Sequence, residues 1–492
     1  MWSFGHHVRF AKSNSLTLYT SQMKSLKSLS LALTALAASL SATANVALPA
    51  ILSDGMVLQQ NSKVKLWGWA KPYEIVSIKT SWDTTTYKVN PTNLATWQLE
   101  IPTPAATDKP QSIQFNGYNS ITLNDILIGE VILCAGQSNM EFSPSWGMIG
   151  GDSLLAQATQ PDIRMFRVDY RTSPTPNHDL TGKWLHTTPQ NANNFSAIGY
   201  VLACKLRSTL HCPVGIVDAS WGGTPIETWM PAEVFNDPEL KAINDRLNEV
   251  SWGPVRPALA YNAMLYPLAN FKFHAMAWYQ GEQNCENADA YSQLLQIFVA
   301  QCRRNFYDAQ NLPFIFAQIA PYKYDSPGMA VIVRDQQRQA AALIPNSGFV
   351  VIGELCDLKD IHPKRKVEAG NRFANAILTE AYGKQGFDYK APLFRSATLN
   401  KKGNAIIVTF DNAQDLHIAD KAKTADWFEL AGADGVFHKA TGKLQKDGSV
   451  IVSSREVKKP LSVRYAWADD AFPNLAGKNG IQASCFGPQV AK

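Results

Sequence analysis

The sequence predicts an α/β protein whose parallel-sheet core is flanked by a β unit at each end. Three observations carry this. Between residues 126 and 385, apolar runs of strand length alternate with helical patterns, as in a mostly parallel sheet covered on both faces. Before that stretch, residues 45–125 alternate in period two between turn signals. After it, short strands separated by Gly and Asp turns return over residues 386–492.

Taken in order, Val64, Leu66 and Trp67-Gly68-Trp69 are followed by Ile75–Ile78, Trp97–Leu99, Ile113–Phe115 and an Asn116-Gly117 turn. A small β-sandwich is expected there. Ile126–Ala135, Val214–Ala219, Phe273–Tyr279, Phe314–Ile319 and Phe349–Ile352 read as buried strands. Tyr291, Leu294, Leu295, Phe298, Val299, Cys302 and Phe306 form one helix face. Phe195–Leu210 and Val367–Tyr382 read as helices too. Ala405–Phe410, Asp426–Leu430, Val450–Ser453 and Leu461–Trp467 predict a second β-sandwich.

The 492 residues are 46% hydrophobic and 18% charged, which excludes wholesale disorder, collagen and coiled coil. Residues 1–44 hold Arg9, Lys12, Lys24 and Lys27 and no acid, leaving 42 cations against 41 anions elsewhere. A near-neutral body gives no reason to expect a nucleic-acid partner. Residues 1–44 read as a signal peptide with its start at Met23, an apolar stretch Leu29–Leu40 and an Ala42-Thr43-Ala44 cleavage site. That stretch is short for a membrane span, and no later segment is apolar enough for one. An exported periplasmic or extracellular protein is expected. Of the seven cysteines, Cys204 and Cys212 are close enough in sequence to pair, and Cys134 and Cys302 sit on apolar faces. No Cys/His group has zinc spacing, so neither metal nor cofactor is expected.

In open parallel sheets, functional groups gather beyond the carboxyl ends of the strands. Gly136-Gln137-Ser138-Asn139-Met140 follows the first core strand and would expose the Ser138 hydroxyl beside free backbone N–H groups, as a serine nucleophile requires. Ser220-Trp221-Gly222-Gly223-Thr224 follows the second, and paired glycines let a backbone N–H approach a ligand. Gln280-Gly281-Glu282-Gln283-Asn284 follows the third, and Asn284 offers an amide donor. After the last strand, Asp357 and Asp360 precede His362, which suits a general base oriented by an acid.

These blocks, together with Ser53-Asp54-Gly55-Met56-Val57-Leu58-Gln59, Trp221–Glu227, Trp278–Asn284, Asp360-Ile361-His362-Pro363 and Arg464-Tyr465-Ala466-Trp467, resemble the sialate O-acetylesterase family within the SGNH hydrolases. The resemblance covers most of the chain after residue 44. It implies an SGNH-hydrolase (flavodoxin-like) three-layer core that removes acetyl groups from sialic acids or sialoglycans without a metal. Carried over, Ser138 is the nucleophile and His362 the base. The Ser138 N–H, a Gly222 or Gly223 N–H, with Gly223 favoured, and the Asn284 amide would bind the oxyanion. Gln137, Glu227, Gln280 and Glu282 are candidates for substrate contacts. The wider superfamily pattern Asp-x-x-His is broken, because Lys359 stands three residues before His362. Asp360 or Asp357 orients His362, or a backbone carbonyl does so in a Ser-His dyad. Two other readings are an acetylxylan or hemicellulose esterase of the same fold, and a non-catalytic carbohydrate-binding protein.

Overall fold

The computed structural model describes residues 45–324, 327–420 and 422–492, so the predicted leader lies outside the described residues. The described chain begins with β1 (Val57–Gln59), β2 (Ser62–Trp69), β3 (Val76–Thr80), β4 (Thr86–Val89), β5 (Thr96–Thr103), β6 (Thr107–Asn116) and β7 (Ser120–Gly136). β2 and β5 pair with each other, while β3 pairs with β4 and β6, and β6 pairs with β7. The first half of β7 is therefore part of the N-terminal β unit. Its second half lies between β10 (Val214–Ser220) and β11 (Ala275–Tyr279), parallel to both. The change of pattern read at residue 126 falls inside this one strand. Up to Asp125 the strand is only partly covered, and from Ile126 onward every residue is buried.

β8 (Ile163–Val168), β9 (Gly182–His186), β12 (Phe314–Ala317) and β13 (Ser347–Val350) complete the central sheet in the order β13-β12-β11-β7-β10-β8-β9. Pairing along this path is parallel except between β8 and β9. Sequence patterning misses β8 because Arg164 and Arg167 interrupt its apolar run; Arg164 is buried on Asp125 at 3.0 Å.

Five helices matter for the site: α1 (Ser138–Glu141), α2 (Ala197–Leu210), α3 (Tyr291–Asn305), α4 (Met329–Leu343) and α5 (Lys366–Glu380). Val131, Leu133 and Ala135 of β7 share a core with α3 and α4, whereas Ile132 and Cys134 share one with α2 and α5. This is the strand's period of two read through the sheet, with both faces covered. α4 escapes sequence reading because Arg334, Asp335 and Gln337 are buried on it and hide its apolar stripe.

The C-terminal unit is a seven-stranded antiparallel sheet from Leu393–Leu399 to Phe486–Val490. The predicted C-terminal sandwich is corrected here. Backbone hydrogen bonds of Lys492 with Ala397 and Leu399 join the two edges, so the sheet curls towards a barrel. Cys204 and Cys212, close in sequence, are both free thiols. Cys204 sits on α2 beside Gln160, and Cys212 lies beyond the helix beside Gln60.

Gly136 ends β7 at φ +136°, and a Cβ there would overlap the Tyr279 carbonyl oxygen. Gly136→Ala should destabilise the fold by at least about 3 kcal/mol, since it adds a clash to backbone strain. Urea unfolding of the two proteins measures this.

Candidate active site

The chain moves outward from β7 in opposite directions, to β10 on one side and β11 on the other. Such a switch point opens a crevice at the strands' carboxyl ends. Gly136 permits the turn, and the Gln137 N–H then donates to the Tyr279 carbonyl at 2.9 Å. Ser138 becomes the first residue of α1, whose N-cap Gln137 is extended. His362 comes from the loop between β13 and α5. Its Nε2 lies 2.9 Å from Ser138 Oγ, so residues 224 positions apart make one hydrogen-bonded pair. Burial and the Lys366 charge hold the imidazole below its ordinary pKa, with Asp360 acting the other way.

Asp360 is close to His362 but does not bond its ring. The Asp360 Oδ1 accepts the His362 backbone N–H at 2.9 Å, and lies 3.7 Å from Nδ1, which is an ion-pair distance rather than a hydrogen bond. Asp357 is exposed and accepts the Lys359 backbone N–H.

The glycine pair divides its work. The Gly222 N–H donates to Glu141 Oε2 at 2.8 Å. A Cβ on Gly222 would stand 3.3 Å from Ser138 Cβ, so this turn lies against the serine. Gly223 has φ +69° and packs under the Trp252 indole. Glu141 is fixed in turn by Arg167 at 3.2 Å and by the Tyr170 hydroxyl. Tyr170 stacks on Trp221 at 4.6 Å between centroids.

Several of the predicted site residues make internal contacts. Asn284 is fully buried, and its Oδ1 accepts from the Ile226 backbone N–H at 3.0 Å, which fixes the amide's orientation. Its Nδ2 then donates to Glu227 at 2.9 Å and Asn287 at 3.0 Å, leaving no hydrogen for an oxyanion. Glu227 is likewise internal, held by Asn284 and Asn287. Gln280 donates to the Thr224 carbonyl and Asn284 and accepts from Tyr291. Gln137 accepts from the Gly281 N–H at 3.1 Å. Glu282 Oε1 accepts from Asn139 Nδ2 at 2.7 Å. These four side chains bond to neighbouring loops and brace them. The loop after β11 folds inward, and its polar groups bond to one another and to neighbouring loops.

Sequence reasoning gave no role to Asn139, Glu141 or Lys366. Asn139 Nδ2 also donates to the Ile361 carbonyl at 3.1 Å, just before His362. Its Oδ1 accepts from Lys366 Nζ at 2.6 Å. Lys366 is fully enclosed between the Phe142 and Tyr279 rings, and burial lowers its pKa to about 7. Burial raises Glu282 above the usual carboxylate range, with Asn139 and Lys366 opposing. Among the described residues, no group of three or more His, Cys, Asp or Glu side chains could hold a metal. Nor is any described helix long and apolar enough to cross a membrane.

A serine hydroxyl bonded to an imidazole beside a glycine turn is the equipment of an ester hydrolase. Comparison with known proteins narrows the class. The family described as "Carbohydrate esterase, sialic acid-specific acetylesterase" matches residues 128–379. Sialate O-acetylesterase of Mus musculus is 27% identical over 428 residues, covering 74% of this chain and 79% of the mouse protein. The Homo sapiens sialate O-acetylesterase is 24% identical over 378 residues, covering 70% and 72%. The crystal structure of a carbohydrate acetylesterase from Xanthomonas citri is 32% identical, with TM-score 0.80, and covers 90% of this chain and 99% of its own. The chain belongs to the sialic acid-specific acetylesterase family of carbohydrate esterases.

Lys366→Met should move the His362 titration to higher pH, because a nearby positive charge no longer disfavours the imidazolium. NMR of the ring protons across pH 4–9 measures it. An unchanged titration would remove Lys366 from the electrostatics of the pair.

Proposed function

We propose that the chain is a serine esterase of SGNH type that releases acetate from O-acetylated sialic acids. The observation that carries this reading is the 2.9 Å contact of Ser138 Oγ with His362 Nε2, beside the Gly222–Gly223 turn. Ser138 Oγ attacks the acetyl carbonyl carbon as His362 Nε2 takes its proton. The oxyanion is held by the Ser138 and Gly223 N–H groups, because Glu141 already occupies the Gly222 N–H. The sugar oxygen leaves with the proton from His362, and an acetyl-serine remains. Water, deprotonated by His362, then cleaves that ester and releases acetate. The lowered pKa keeps His362 neutral and able to accept a proton near pH 7.

Asp360 supports His362 through its backbone and through charge, at 3.7 Å from Nδ1. The chain is proposed to act outside the cytoplasm, on the strength of the leader pattern Met23–Ala44.

A second reading keeps the chemistry and changes the sugar to a neutral acetylated hemicellulose. Sialic acid carries a carboxylate, yet Arg167 is paired with Glu141 at 3.2 Å, Lys364 with Asp360 at 3.7 Å, and Lys366 is buried on Asn139 at 2.6 Å. The Xanthomonas relative is described only as a carbohydrate acetylesterase.

Acetate release from O-acetylated sialic acid and from acetylated xylan separates these readings. Ser138→Ala should lower the rate by at least about a thousandfold. Release from xylan alone would keep Ser138 and replace the sugar, and a fully active Ser138→Ala would overturn the serine mechanism. Asp360→Asn should cost less, about tenfold to a hundredfold. It should also move the acid limb of kcat/KM to lower pH, because Asp360 raises the His362 pKa.

A further inference from the structure

A groove of ≈ 400 Å³ lies where β2 and β5 meet the turn Tyr266–Asn270, away from the catalytic residues in its lining. That volume is within the roughly 300–1,000 Å³ of small-molecule sites. Its apolar surfaces are Trp67, Trp69, Trp97 and Tyr266, of which Trp69 and Tyr266 are part-exposed. Gln98, Asn177, Asn270 and Asn305 bring amides to it, and Thr92 and Thr96 bring hydroxyls. Neither an acid nor a Lys or Arg lines it. The groove near Thr379–Lys390, by contrast, carries Lys384, Asp388 and Lys390.

These groups are poorly occupied by the protein itself. Among the described residues, the side chains of Gln98 and Asn177 make no hydrogen bond to protein. Asn270 accepts from Lys65 at 3.1 Å through Oδ1, leaving its Nδ2 donors free, and Asn305 donates to the Tyr261 hydroxyl at 2.9 Å, leaving its carbonyl free. Trp97 is only 2% exposed, and its indole N–H has no acceptor among the described residues.

We propose that this groove binds neutral sugar residues of a glycan chain. No Lys, Arg, Asp or Glu lines the groove, and Lys65, at its edge, is already bonded to Asn270 Oδ1 at 3.1 Å, so an anionic ligand would find little free counter-charge there. An apolar peptide would leave the amides and hydroxyls unpaired, each at a cost. A neutral pyranose satisfies both: its C–H face packs on an indole or phenol ring, and its hydroxyls pair with amides, which both donate and accept. Gly68 makes the aromatic wall possible, since a Cβ there would overlap the Ala47 carbonyl and press on Trp97. The groove is also tied to the catalytic turn. Tyr170, at the start of the segment linking β8 to β9, bonds Glu141 and stacks on Trp221, while Asn177 and His178 of that segment line the groove. A glycan held here is anchored on the same body that carries Ser138.

The test uses the full chain carrying Ser138→Ala, so that binding is read apart from the proposed chemistry. Native gels cast with deacetylated xylan, xyloglucan or hydroxyethyl cellulose serve as probes. Retardation in at least one gel is expected, and it should be lost in Trp69→Ala and weakened in Gln98→Ala, whose exposed side chain leaves the fold intact. No retardation in any of the three gels, or equal retardation of all variants, would overturn the proposal. In the chain retaining Ser138, Trp69→Ala should raise KM at least about threefold for the acetylated glycan polymer or sialoglycan that the chain hydrolyses, while leaving kcat/KM for 4-nitrophenyl acetate within about twofold. Equal loss on both substrates would place Trp69 in the fold rather than in a glycan site. Failure of Ser138→Ala to lower esterase activity would sink the catalytic reading and leave the groove untouched.

Discussion

The register of β7 is the constraint on which the rest depends. One strand pairs with β6 and β1 in its first half, with β10 and β11 in its second, and delivers Ser138 two residues past its end. A slip of one residue would exchange Val131, Leu133 and Ala135 with Ile132 and Cys134 across the sheet. Both cores would then be wrong at once. The same slip would pull Gln137 away from Tyr279 and Gly281, so the position of Ser138 is enforced by apolar packing far from it. The N-terminal β unit is thus not an appendage, since it shares the strand that sets the site.

Around that strand end the chain accepts an electrostatic cost to gain geometry. Lys366 stands at the first turn of α5, where the helix dipole disfavours a cation, and it is buried as well. Asn139 lies between it and Glu282, bonding both, and also holds the carbonyl before His362. Buried charges of this kind add little net stability, yet removing one partner costs about 3–5 kcal/mol. The arrangement therefore resists displacement more than it stabilises. A second buried set, Glu227 with Asn284, Asn287 and Gln280, fixes the loop after β11 against the turn after β10. Neither set needs to touch a sugar to matter for the geometry at Ser138.

What the sequence revealed and what it hid follow from range. Buried strands such as Ile126–Ala135 and the α3 stripe are written in local periodicity, and the strand ends pointed to Ser138 and His362. The pairing of those two spans 224 residues, that of Lys366 with Asn139 spans 227, and that of Gly222 with Glu141 spans 81. None leaves a local trace. Buried polar residues misled in two ways. Arg164 and Arg167 broke the pattern of β8, and Gln280, Glu282 and Asn284 read as groups open to a ligand although they are buried. In each case a distant partner, not the neighbouring sequence, decides whether a polar residue faces solvent.

The two glycines of the turn differ in their surroundings. Glu141 takes the Gly222 N–H, and it is held there by Arg167 and Tyr170. The turn is therefore locked from below, while above it the surroundings are open and aromatic. Trp252, 62% exposed, lies over Gly223, and Trp146, 45% exposed, meets the His362 ring edge-on at 6.3 Å. The groups that would act on the acetyl ester sit on a rigid, hydrogen-bonded base that is indifferent to which sugar carries it. The faces a sugar would meet are flat, exposed and set on the short segments around residues 146 and 252. Trp252 makes no ring contact with His362, whereas Trp146 packs on its ring, and Asn139 and Glu141 hold the loops on either side of the pair.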